Sequence, residues 1–143
     1  MIVGYGNPLR GDDGVGPVVA RAFVGVPGID AVCCHQLTPE LAERLAAVDL
    51  AVFVDASVGV LAGSVGVVRL GAGAAGQGAL VHHVDPAKLL ALAGRLYGCA
   101  PVAFLVTIGA ASTELGEGLS QSVAAAVPDV VAAILALLTE HAG

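Results

Sequence analysis

The stretch MIVGYGNPLRGDDGVGPVVARAFV (residues 1–24) decides how the fold is read. "MIVGY" is a short apolar run of strand type, and "GNPLRGDDG" is a Gly-rich turn holding two adjacent carboxylates. Val15, Val18, Val19, Ala22 and Phe23 then recur at helical spacing, predicting a helix from Val15 to Val24. Pro17 is compatible with it, because the first turn of a helix does not use its backbone N–H groups. Strand, tight turn and helix in that order are the first half of a βαβ unit. Gly6 and Gly11 have the Gly-x-x-x-x-Gly spacing of a phosphate-binding loop, but Asp12 and Asp13 stand where such a loop carries Lys and Ser/Thr. Two carboxylates repel the phosphate that a lysine would hold, so the turn is suited to a different partner.

Downstream the same alternation continues. "DAVCCHQ" reads as a second strand, and "TPELAERLAAV" as a helix with Thr38 as N-cap and Pro39 as its first residue. "LAVFVDAS" is a buried strand ending at Asp55, and "GSVGVVRL" a fourth strand suited to a sheet edge. After the Gly/Ala stretch from Gly71 to Gly78, Asp85 and Pro86 start a helix with leucines at 89, 90, 92 and 96. "PVAFLVTIGA" is a fifth strand, and Leu119 to His141 a helical segment with a break or kink expected at Pro128. The pattern predicts an α/β fold: a mostly parallel sheet of about five strands covered by helices on both faces.

At 143 residues and 57% hydrophobic, the chain is expected to form one domain spanning 1–143, with a core of Val, Leu and Ala because aromatics are only 3%. Its six Lys and Arg residues are scattered singly and the net charge is −6, which leaves no basic stripe for nucleic acid. No uninterrupted run of 18 apolar residues is found, so no membrane span is expected. Residues 1–6 lack the basic and apolar regions of a signal peptide, and Cys33, Cys34 and Cys99 have no CxxC spacing. Buried, reduced thiols and a cytoplasmic location are the corresponding expectations.

In open α/β sheets, sites form beyond the carboxyl ends of the strands. The polar residues there are Asn7, Asp12 and Asp13 after the first strand, Gln36 and Thr38 after the second, and Asp55 with Ser57 after the third. His82 and His83 precede a helix that starts on that side. Asp55 is the most informative, since an ionised carboxylate directly after a buried run is costly unless paired, solvated or bound to a cation. Each residue also has a plain structural role open to it. Asp55 can cap a loop, one of Asp12 and Asp13 can cap the helix beginning near Gly14, and the histidines can be surface imidazoles. Taken together, two carboxylates and an imidazole at one sheet edge form a ligand set for Zn²⁺ or Ni²⁺ with positions left open. No serine lies in a G-x-S-x-G elbow, and Cys33 and Cys34 fall inside a strand, which argues against a Ser or Cys nucleophile.

These residues also resemble a known family, the [NiFe]-hydrogenase maturation endopeptidases. "VGYGNPLRGDDGVGP" resembles that family's N-terminal signature, "HQLTPELAERLAAVDLAVFVDA" its second block, "HHVDPAKLLALAGRLYG" its third and "GASTELGEGLS" a looser last one. The resemblance implies a three-layer α/β sandwich. The implied activity is removal of a short C-terminal extension from the hydrogenase large-subunit precursor once nickel has been inserted. Asp13, Asp55 and a third-block histidine would be the metal-binding and catalytic residues. His82 keeps the family register, standing four residues before Pro86 and seven and eight before Leu89 and Leu90, with His83 as the alternative. The implied partner is the precursor, and the implied metal is its own nickel, with a resident ion such as zinc as the other option. Two further readings are a Rossmann-type nucleotide-binding module using Gly4 and Gly6, and a non-catalytic protein that only binds the hydrogenase subunit. The first lacks the third glycine, with Leu9 in its place, and no ribose-binding acid follows the second strand.

Overall fold

A computed structural model describes residues 1–71 and 84–141. Among these, five strands form one sheet: β1 (Ile2–Tyr5), β2 (Ala31–Cys34), β3 (Leu50–Ser57), β4 (Val65–Leu70) and β5 (Val102–Gly109). Their spatial order is β2-β1-β3-β5-β4, parallel except for β4, which runs antiparallel to β5 at one edge. Helices α1 (Val15–Arg21) and α4 (Gln121–Glu140) cover one face, and α2 (Leu41–Ala46) and α3 (Pro86–Tyr97) the other. The three-layer α/β sandwich expected from the sequence is the observed architecture.

Strand β3 shows why both faces need cover. Ala51 and Phe53 point into the core under α2 and α3, while Val52 and Val54 point into the core under α1 and α4, and all four are fully buried. A central strand buried on both sides reads as an unbroken apolar run because alternation has no solvent face to mark. The run stops at Asp55, where β3 passes the end of its neighbour β1.

Several boundaries differ from expectation. Helix α1 ends at Arg21, and the chain then turns toward Gly25, whose φ of 82° suits glycine. Helix α2 begins at Leu41, because Thr38 and Pro39 are spent on a lead-in turn in which their carbonyls accept from Leu41 and Ala42. The start of α3 is as read: the Asp85 side chain accepts the Lys88 N–H at 2.7 Å with Pro86 in the first turn.

The break expected at Pro128 is absent, since α4 runs through it from Gln121 to Glu140. Pro128 is exposed, as is Ala124, whose carbonyl loses its helical partner to the proline, so water can satisfy that group. On the opposite side Val123, Ala126, Val130, Ile134 and Leu137 are buried as one stripe that holds both halves in line. By length and composition alone α4 could cross a membrane, yet this stripe is part of the core.

Nor are the thiols buried. Cys33 and Cys99 are exposed and Cys34 is half-buried, because β2 is an edge strand and Cys99 follows the C-cap of α3.

Candidate metal centre

The turn after β1 is held by close backbone packing that only glycine permits. Gly6 has φ of 145°, and a Cβ there would overlap the Asp13 carbonyl. A Cβ on Gly16 would come within 2.5 Å of the carbonyls of both Tyr5 and Val54. These two contacts seat the start of α1 directly on the ends of β1 and β3, bringing Tyr5, Asp13 and Asp55 to one place.

The two adjacent aspartates part company within a single 3₁₀ turn, Gly11–Gly14. Asp12 points inward and is 1% exposed. Its carboxylate accepts the backbone N–H groups of Ala111 (2.8 Å), Ser112 (3.2 Å) and Ser120 (2.7 Å), together with the Ser120 hydroxyl (2.8 Å). Burial alone would raise its pKa, but these hydrogen bonds outweigh that and hold it below the usual carboxylate value. The Asp12 carboxylate therefore ties the turn to the loop after β5 and to the N-cap of α4.

Asp13 faces the other way. Its Oδ2 accepts the Asn7 N–H at 2.7 Å, while the Asn7 side chain accepts the Leu9 N–H at 2.9 Å and closes the turn from below. The outward side of Asp13 opens onto a cavity of about 290 Å³. Asp55 and Tyr5 line it from the ends of β3 and β1, and Gly6 forms part of its floor. His35, Gln36 and Leu37 contribute from the segment after β2, and Val84 from the approach to α3.

Asp55 is the unusual group. Burial pushes its carboxyl up to about 6, the nearby Asp13 charge adding to the rise, and the Tyr5 phenol and the Ala56 backbone offset only part of it. The Tyr5 phenol is in turn held well above its ordinary value, first by burial and then by the Asp55 charge. Two carboxylates facing one cavity, one of them disfavoured as an anion, suit a divalent cation that would neutralise both. Their hard oxygens fit the group; among the described residues, however, no cluster of three His, Cys, Asp or Glu could hold an ion by itself.

The structure thus unites Asp13 and Asp55 and removes Asp12 from the site. His82 and His83 lie outside the described residues, although Val84, next along the chain, is part of the cavity wall. Gln36 joins the wall; Thr38 and Ser57 do not, and Asn7 serves behind Asp13. Sequence reasoning passed over Tyr5 and His35. Both stand at the carboxyl end of a strand, and the positional rule that picked out Asp55 reaches them once aromatic and imidazole groups are counted as polar.

No family model matches the chain, and no curated protein sequence matches it significantly. Solved structures do. The hydrogenase maturating endopeptidase HybD from E. coli superposes with a TM-score of 0.74 at 23% identity, covering 99% of this chain and 92% of that one. The [NiFe] hydrogenase maturation protease HycI from Thermococcus kodakarensis gives a TM-score of 0.74 at 26% identity, covering 96% and 90%. A hydrogenase 2 maturation peptidase from a Thaumarchaeota archaeon gives 0.67 at 23%, covering 96% and 95%. Over nearly its whole length, then, the chain shares the fold of the hydrogenase maturation endopeptidases and resembles that family.

Proposed function

We propose that the chain is an endopeptidase that removes the C-terminal extension of a [NiFe]-hydrogenase large-subunit precursor after nickel has been inserted. The observation that carries this reading is the convergence of Asp13, from the 3₁₀ turn after β1, and Asp55, from the end of β3, on one open cavity where burial disfavours the Asp55 anion. Its support from relatives is that the similar structures are named as hydrogenase maturation proteases.

Asp13 and Asp55 would hold the cation with His82, or with His83 in its place, and the precursor's own nickel is the ion we favour over a resident metal such as zinc. Bound there, a divalent cation supplies polarisation of the scissile carbonyl and a more acidic water. The chain's residues do the remaining work. Asp13 is fixed from behind by the Asn7 N–H, so its free oxygen keeps its aim at the cavity. Asp55 gives up, on cation binding, the proton that it retains below about pH 6. With two carboxylates and one imidazole the chain binds free metal loosely, so precursor ligands complete the coordination and cleavage becomes a check that nickel is present. A cytoplasmic setting is part of the reading and agrees with three free thiols.

The test is to incubate the protein with nickel-loaded and nickel-free precursor and weigh the products. Loss of the extension from the loaded form alone is expected. An uncut loaded precursor overturns the endopeptidase reading, and equal cutting of both forms overturns the nickel check.

A further inference from the structure

We propose that the groove along the outer edge of β2 receives the segment that cleavage releases, bound as an added strand with one of its carboxylates on Arg21. The inference rests on the function proposed above and says where the substrate lies.

A second hollow of about 280 Å³ adjoins the carboxylate cavity and shares Gly6 and His35 with it. Pro8, Pro17, Cys33 and Cys34 line it, the Cys33 thiol donating to the Pro17 carbonyl at 3.5 Å, and Arg21 stands at the end of α1. A chain whose scissile bond sits at Asp13 and Asp55 can thus continue past His35 into this groove.

The strand that borders it is ready to pair. The Ile2 N–H donates to the Asp30 carbonyl at 2.8 Å and the Gly6 N–H to the Cys34 carbonyl at 3.1 Å. With the parallel register Ile2↔Ala31 and Gly4↔Cys33, this pattern directs the backbone groups of Val32 and Cys34 at β1 and those of Ala31 and Cys33 away from the sheet. Among the described residues no strand pairs with that side of β2, and Cys33 is exposed. An edge of this kind takes an extended peptide through main-chain hydrogen bonds, whatever its side chains.

Charge sets the direction. Arg21 is the one Lys or Arg lining the groove, and among the described residues the only salt bridge is between Arg44 and Asp30. In a chain of net charge −6, a lone guanidinium there favours the end of a polypeptide that always carries a negative charge. That end is the carboxyl terminus, which belongs to the released segment.

The experiment compares wild type, Arg21→Glu and Arg21→Lys on the precursor that the wild type cleaves, and on the same precursor made by ligation to end in a carboxamide. Melting curves should coincide, since Arg21 is exposed. Arg21→Glu should raise KM about fivefold or more with kcat within about twofold, as expected for a charge contact used only in binding. Arg21→Lys should stay close to wild type. The carboxamide should raise the wild-type KM comparably and add nothing in Arg21→Glu. If the carboxamide is silent while Arg21→Glu still raises KM, the carboxylate is an Asp or Glu side chain of the released segment, and neutralising those residues should reproduce the rise. An unchanged KM in Arg21→Glu, with normal wild-type cleavage, overturns this placement alone. No cleavage by the wild type overturns the proposed function and this placement with it.

Discussion

The Asp12 carboxylate accepts both the backbone N–H and the hydroxyl of Ser120, at 2.7 and 2.8 Å, across 108 residues of chain. Through this pair the turn that aims Asp13 at the cavity is anchored to the N-cap of α4, on the far side of the sequence. Arg10 and Gly116 reinforce the join as a bridge, and the Gly11 N–H donates to the Gly116 carbonyl at 2.8 Å.

Asp12→Ala should therefore destabilise the protein by about 2–4 kcal/mol, because three backbone N–H donors and a hydroxyl lose one buried, charged acceptor together. Thermal or denaturant unfolding measures it. A loss below about 0.5 kcal/mol, the size of an ordinary surface change, would show that the latch does not hold. Its folded pKa is depressed, so Asp12 contributes stability above the unfolded value near 4, lost as pH falls through the lower folded value.

Asp55 should behave in the opposite sense. Its folded pKa, about 6, lies above the unfolded value, so the stability it contributes is full below about pH 4 and is lost as pH rises through 6. Asp55→Asn should remove that slope, leave the metal-free protein as stable or more stable at neutral pH by about 1–3 kcal/mol, and abolish processing. Melting curves from pH 4 to 8 beside a processing assay read both effects. An active Asp55→Asn variant would take Asp55 out of the site.

Tyr5→Phe removes the phenol that partly offsets the burial of Asp55. The Asp55 carboxyl in the metal-free protein should then titrate above the wild-type value of about 6, followed by carboxyl NMR. A downward shift or none would mean that the hydroxyl does not act on Asp55.

For the histidines the expected result is unequal. His82→Ala should lose processing by a hundredfold or more, on the order expected when a metal ligand is removed, while His83→Ala should keep most of it. The register favours His82, which stands four residues before Pro86 and seven and eight before Leu89 and Leu90. The reverse result moves the ligand to His83, and two fully active variants end the three-ligand model.

The sequence by itself determined the layers and the edge where the site lies. The apolar run ending at Asp55, the Asp85-Pro86 helix start and the strand-turn-helix opening are local signals, set by burial on two faces, by capping and by turn chemistry, and each is readable within about ten residues. Between Asp12 and Asp13 the local chemistry left the choice open, the family resemblance pointed to Asp13, and the tertiary structure supplies the physical difference. Both are aspartates in one acidic turn, and what separates them is that Ala111, Ser112 and Ser120 arrive from about a hundred residues away to take one and leave the other facing the cavity. The same holds for Tyr5, which local reading counts as the end of a strand and which meets Asp55 only because β1 and β3 are neighbours in the sheet. Pro128 failed as a local signal for a matching reason: the buried stripe of α4 against the sheet outweighs one lost hydrogen bond on its wet side. Contacts between distant segments carry no trace in the spacing of residues along the chain, and they choose which of two equivalent side chains performs a task.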